Sequence, residues 1–266
     1  MKIAIAGKGG VGKTTLSAVL AHIYADDGNR VLAVDSDPAP CLAEALGFPP
    51  ELRQQLLPVS QMDALIEERT GAKPGTPGGF FTLNPKVDDI PDQFSVAHNG
   101  VRLLEMGTVQ TGGAGCMCPE SAMLKTLLTH LLYRKDEILI VDMYAGLEHL
   151  GRATVDFVDV LLIVAEPTRR SLGTASQIKQ LANDIGLHRH YLVGNKIRED
   201  QEVDFMREVR ADIPLIGFLP YDEGVLTADH RQAPVYAESP RLLEAGRRIT
   251  GKLENIIQPE KEGISK

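Results

Sequence analysis

The chain has 266 residues, which at a common figure of about 150 per domain accommodates one large domain or two small ones; a single α/β domain is expected. With 43% apolar and 24% charged residues and a mean hydropathy of -0.08, it has the composition of a soluble chain able to bury a core, which excludes disorder and fibrous architectures. Twenty-eight Lys and Arg against 36 Asp and Glu leave a net charge of -8, the wrong sign for gripping nucleic acid through the overall field.

The N-terminal residues read as a strand rather than as a charged region followed by an apolar stretch and a cleavage site, so no secretory signal is expected. No apolar run approaches membrane-spanning length, and no membrane association is expected. Three cysteines cannot build a disulfide framework. They fit a reducing cytoplasm, where thiols stay free for metal or redox work.

In chain order, apolar runs at 3–6, 31–34, 101–106, 138–141, 160–165, 191–193 and 215–219 read as strands. The amphipathic stretches 14–26, 119–133, 171–185, 201–210 and 240–256 read as helices between and after them. Nearly unbroken Val/Ile/Leu strands alternating with helices predict βαβ units: an α/β fold with a doubly wound, mostly parallel sheet and helices on both faces. The expected layout is one domain over 1–257, with an insertion around 71–98 that opens on the loop sequence GAKPGTPGG, and a polar tail over 258–266.

Gly7-Lys8-Gly9-Gly10-Val11-Gly12-Lys13-Thr14 fits G-x-x-x-x-G-K-[ST] and lies between the first expected strand and helix, where a phosphate loop belongs. The glycines let successive backbone N–H groups turn toward phosphate oxygens, and the helix N-terminus adds partial positive charge. Gly9, Gly10, Val11, Gly12, Lys13, Thr14 and Thr15 are the expected nucleotide-binding residues. Lys13 reaches the β- and γ-phosphates and Thr14 ligates Mg²⁺.

Lys8 is not required by an ordinary phosphate loop. The segment K-G-G-x-G-K-[ST] resembles the deviant Walker A family, the MinD-type and nitrogenase-iron-protein-type ATPases. That resemblance implies a nucleotide-dependent homodimer in which Lys8 reaches the partner's phosphates; a solvated surface lysine is the plain alternative. Asp35-Ser36-Asp37-Pro38 ends the second strand, and the resemblance puts the water-activating role on Asp37 in switch I, with Asp35 a weaker candidate. An Asp-Pro turn is the bland reading.

The run Ile138–Asp142, four apolar residues ending in an acid, is the Walker B pattern and places Asp142 near Mg²⁺. Ala145-Gly146 then suits a loop that senses the γ-phosphate, while Tyr144 departs from the small or acidic residue expected in related proteins. Asn195-Lys196 resembles a base-recognition element. GTP-binding relatives carry an Asp where this chain has Arg198, which favours adenine. Pro220-Tyr221-Asp222 either closes the other side of the base or forms a simple turn.

Cys116-Met117-Cys118 offers two thiolates at i and i+2. Closed structural zinc sites use four ligands, so a two-fold axis that brings two such pairs together completes one metal site. Thiolates select Zn²⁺, Cu(I), iron–sulfur clusters, or Ni²⁺ where geometry permits. A chance pairing is the alternative, and Cys41, beside Leu42, is expected as a small core residue.

Together AGKGGVGKTT (6–15), VDSDP (34–38), LNPKVDD (83–89), GCMCPE (115–120), VDMYAGLEHLGR (141–152), AEP (165–167) and Asn195-Lys196 resemble the CooC-type accessory ATPases of carbon monoxide dehydrogenase and their acetyl-CoA synthase counterparts. The resemblance implies an ATP-hydrolysing dimer that holds nickel or zinc between paired Cys116 and Cys118 and assists metal insertion into the client enzyme. Glu148 and His149 lie where nucleotide could couple to metal, though a solvated helix start accounts for them as well. Two other readings stand beside this one. The four thiolates of a dimer could bridge a [4Fe–4S] cluster in a reductase component or cluster carrier. Alternatively the chain is a MinD-like partitioning ATPase, although its polar, proline-broken end lacks the basic amphipathic helix such proteins often carry.

Overall fold

The computed structural model describes residues 1–75, 80–107, 118–144, 157–209 and 212–263. Its centre is an eight-stranded sheet: β1 (Lys2–Gly7), β2 (Val31–Asp35), β3 (Val96–His98), β4 (Val101–Glu105), β5 (Ile138–Asp142), β6 (Val160–Ala165), β7 (His190–Ile197) and β8 (Leu215–Pro220). The order across the sheet is β3-β4-β2-β5-β1-β6-β7-β8. Every neighbouring pair is parallel except β3 with β4. The doubly wound α/β architecture expected from the strand pattern is the one observed.

Alternation across the pleat explains why the inner strands are apolar at every position. Ile3 and Ile5 of β1 join a core on one face with Leu16, Leu20 and Ile23 of helix α1 (Lys13–Asp26) and with Leu242, Ile249 and Leu253 of the C-terminal helix Pro240–Gly263. Ala4 and Ala6 face the other way, toward Leu124, Leu127 and Leu128 of the helix Pro119–Tyr133 and toward Leu172 and Ile178 of the helix Arg169–Ile185. Both faces are covered, as a parallel sheet requires.

Two boundaries differ from the sequence reading. The segment expected as an insertion around 71–98 contains a short helix, Ile90–Phe94, and the edge strand β3. A two-residue turn, Asn99 (φ 47°) and Gly100 (φ 79°), joins β3 to β4 with His98 opposite Val101. Asn-Gly between apolar runs is a hairpin signal, and both residues take the positive φ that such a turn demands. The last helix, expected to stop at 256, continues as helical backbone to Gly263 through a segment rich in Glu and Lys, both good helix formers.

Candidate nucleotide site

The phosphate loop leaves β1 and enters α1 through Gly12, whose φ of 95° is left-handed. A Cβ there would stand 2.1 Å from the Asn195 amide nitrogen, so both the backbone conformation and the space require glycine. No side chain caps the start of α1 and no acid lies in its first turn, which leaves the N-terminal N–H groups and their positive end free for an anion. Lys8, Gly9 and Gly10 are exposed, Val11 and Lys13 are buried, and Gly12, Thr14 and Thr15 are half-buried.

Side chains from across the sheet fix the loop from below. Asn195 donates its amide to the Val11 carbonyl at 2.7 Å and accepts from the Lys196 N–H at 2.8 Å. The Lys196 ammonium donates to the Gly10 carbonyl at 2.7 Å and pairs with Glu166 at 2.6 Å. Asn195 was expected to read the base; its amide is engaged by the phosphate loop. Lys196, expected with Asn195 to read the base, turns to the loop instead, and Glu166 escaped a site reading because its partner lies far away in the chain, although it follows a strand end on the ligand-binding edge.

The register of the central strands assembles the acidic half of the site. Asp35 of β2 lies beside Asp142 of β5 on one side and Glu105 of β4 on the other. Asp35 is buried and accepts three backbone N–H bonds, from Asp37 (3.0 Å), Cys41 (3.0 Å) and Leu42 (2.9 Å). Its carboxylate therefore shapes the turn that carries Asp37. Burial raises its pKa and those N–H groups oppose the rise. Asp37 is half-buried and accepts from the Ala39 N–H at 2.9 Å. Ser36 ties the turn to the Walker B strand by donating its hydroxyl to the Asp142 carbonyl at 2.8 Å.

Asp142 is 2% exposed, and burial with Asp35 alongside pushes its carboxyl up to about 7, against the pull of the Thr14 hydroxyl and the Lys13 ammonium. Its Oδ1 has no hydrogen-bond partner. A buried carboxylate oxygen without a donor, beside a threonine hydroxyl and a second acid, is the chemistry that a hard divalent cation satisfies. The residues present therefore fit Mg²⁺ bound with a nucleotide. Glu105 is likewise raised to about 7 by burial and by Asp35.

A cavity of about 600 Å³ opens beside the loop. Gly12 and Thr15 line it together with Asn195 and Lys196, which touch the loop, and Pro220 at the end of β8 and Tyr221 after it line it as well. The volume lies within the range of small-molecule sites.

Of the cysteine pair, Cys118 is described and Cys116 lies outside the described residues. Cys118 is half-buried, free, and caps the helix Pro119–Tyr133, its sulfur accepting from the Ser121 N–H at 3.4 Å. Among the described residues no group of three or more His, Cys, Asp or Glu is placed to hold a metal ion. Cys41 is exposed rather than a small core residue: its N–H donates to Asp35 and its thiol to the Ala39 carbonyl at 3.1 Å, while Leu42 takes the buried place. Burial raises the Cys41 thiol, with Asp35 adding to the rise. Tyr144 is 46% exposed, and Ala145, Gly146, Glu148 and His149 lie outside the described residues. No described helix is long and apolar enough to cross a membrane.

Residues 2–235 match the CobQ/CobB/MinD/ParA nucleotide-binding domain family. The chain is 44% identical over 265 residues, all of both chains, to the carbon monoxide dehydrogenase accessory protein CooC of Rhodospirillum rubrum. The chain is a CooC-type member of that family. An uncharacterized ATP-binding protein of Methanocaldococcus jannaschii is 46% identical over 242 residues, 90% of this chain and 92% of that one. Among solved structures, the MinD cell division protein of Aquifex aeolicus superposes with a TM-score of 0.64 at 20% identity over 94% of this chain and 96% of that one. A ParA family ATPase from Chlorobium tepidum reaches 0.67 at 18% identity over 92% and 95%. At these identities the two structures establish the fold alone. Membership of the family establishes a nucleotide-binding P-loop domain.

Proposed function

We propose that this CooC-type chain is a cytoplasmic, Mg²⁺-dependent ATPase that works as a homodimer, carries nickel or zinc between the Cys116 and Cys118 pairs of two copies, and serves maturation of a carbon monoxide dehydrogenase or acetyl-CoA synthase. The observation that carries the nucleotide half is the orphaned Asp142 oxygen beside Thr14, Lys13 and Asp35. The metal half rests on the C-x-C pair and on the resemblance to an accessory protein of carbon monoxide dehydrogenase.

In this reading Lys13 and the N–H groups of residues 9–15 hold the triphosphate, and Thr14 and Asp142 are the residues that would hold Mg²⁺. When bound, that ion neutralises charge on the terminal phosphates. Asp37 orients the attacking water and takes its proton as the water oxygen bonds to the γ-phosphorus; the bond to the β–γ bridging oxygen breaks and ADP leaves with that electron pair. Lys8, exposed on the loop, donates to the partner copy's phosphates as charge develops there. Dimer closure gathers four sulfurs around one metal ion, the cargo, and hydrolysis reopens the pair for delivery.

Sedimentation with a non-hydrolysable ATP analogue, Mg²⁺ and Ni²⁺ or Zn²⁺ tests this. A dimer holding about one transition-metal ion per two chains is the expected species. A species of 28.9 kDa under all these conditions overturns the dimeric mechanism.

A further inference from the structure

We infer that the outward face of the helix Pro119–Tyr133, with residues 80–83 laid along it, is where the metal-receiving client protein docks. The inference rests on the accessory reading above and adds to it the surface that meets the client.

The helix begins at the thiol. Cys118 is its N-cap, and positions 122, 126, 129 and 133 follow at helical spacing, so one line of side chains leads from the sulfur to Tyr133. At 1.5 Å per residue that line is about 22 Å long. None of Ala122, Thr126, Thr129 and Tyr133 is buried. The neighbouring segment is pinned against this helix and its own flank. The Gly75 N–H donates to Glu120 Oε1 at 2.7 Å, the Thr82 N–H to the Thr70 carbonyl at 2.8 Å, and the Thr126 hydroxyl to the Leu83 carbonyl at 3.4 Å.

This frame holds apolar side chains out in water. Phe80 is wholly exposed, and Leu83 and Tyr133 are each more than half exposed. Tyr133 packs on Phe157 with ring centroids 3.9 Å apart. The other large apolar side chains exposed among the described residues are scattered over four separate segments. Apolar surface gathered on one rigid element marks a place for another protein.

Size and position choose the occupant. Phe80, Leu83 and Tyr133 present roughly 400 Å² of surface, about half of the ~800 Å² per partner that a stable interface buries. A patch of about 800 Å² centred on the shared sulfurs reaches about 16 Å, so Tyr133 lies beyond the seam of the proposed dimer. A small apolar face that runs outward from the cargo thiol fits a partner that binds briefly and leaves once loaded.

Biolayer interferometry of the full chain with a non-hydrolysable ATP analogue and Ni²⁺, against nickel-free carbon monoxide dehydrogenase and in parallel nickel-free acetyl-CoA synthase, tests the face. F80S/L83S and Y133S are each expected to weaken the client that the parent binds by about tenfold, with ATP affinity, nickel content and sedimentation as a dimer unchanged. F80L/L83M, which keeps the surface apolar, binds as the parent does. Phe80 buries nothing, so F80S alone reads the face even where Y133S disturbs the packing on Phe157. Unchanged client affinity in F80S/L83S overturns the inference, and so does loss of the dimer in that variant, which seats a second copy on the face. Parent protein that binds neither client overturns the accessory reading itself.

Discussion

Replacing Asp142 by Asn is expected to stabilise the metal-free protein while abolishing its response to Mg²⁺ and nucleotide. Burial and the Asp35 charge lift the Asp142 carboxyl from its ordinary 3.8 to about 7. At about 1.4 kcal/mol per pH unit, ionising it inside the folded chain costs about 4 kcal/mol above pH 7. The direction follows from where the protons sit. Between pH 4 and 7 the unfolded chain has lost this proton and the folded chain keeps it, so stability falls as pH rises and the full penalty stands above the folded pKa. Asn removes the charge and keeps the shape. Asp35 lies alongside and is relieved at the same time, but the new amide must find a partner of its own, which brings the expected gain to about 2 kcal/mol at pH 8. In a chain of this length that is a rise in Tm of about 4–8 °C. Thermal unfolding in EDTA at pH 5 and pH 8 measures it, the difference between parent and variant being small at pH 5 and full at pH 8. Adding Mg²⁺ and ADP at about 100 times Kd raises the parent by about 2.7 kcal/mol and the variant far less. If D142N is less stable than the parent at pH 8 without metal, the account of a carboxylate awaiting a cation is wrong.

Gly12→Ala forces a Cβ onto the Asn195 amide and a side chain into the left-handed region, so a loss of about 2 kcal/mol and of ATP binding is expected by denaturation and calorimetry. Cys118→Ser keeps a helix cap toward Ser121, so unfolding should change by under about 1 kcal/mol, while nickel or zinc binding measured by dialysis is lost. Cys118→Ala loses both the cap and the metal, which separates folding from binding. Lys8→Ala removes an exposed side chain and should keep ADP affinity within a few fold, but phosphate-release assays should fall at least about a hundredfold if the lysine stabilises transition-state charge.

Much of the fold is legible because a parallel sheet covered on both faces writes itself as unbroken apolar strands; Ile3 to Ala6 and Val160 to Ala165 are buried at every position. The edge hairpin was passed over although Asn99-Gly100 announces it, because Pro85, Pro91 and the polar residues around them masked a three-residue strand. The phosphate loop could be read residue by residue, since its chemistry is local. Asn195 was expected to read the base, and its bond to the phosphate loop was not legible because Val11 lies 184 positions away in the chain. Cys41 was misplaced because an apolar neighbour says nothing about which of two adjacent residues a turn points inward.

From residue types and spacing alone follow a glycine-rich anion cradle, an acid closing an apolar strand, and a thiol pair whose two sulfurs are too few for a closed metal site. Those features depend on contacts within a few residues, so they survive without knowledge of the fold. Strand register alone set Glu105, Asp35 and Asp142 side by side, left one buried oxygen without a donor, and spent Asn195 and Lys196 on the phosphate loop. The reason is that burial and electrostatic crowding are properties of neighbours in space, which packing of distant strands chooses and local composition does not encode.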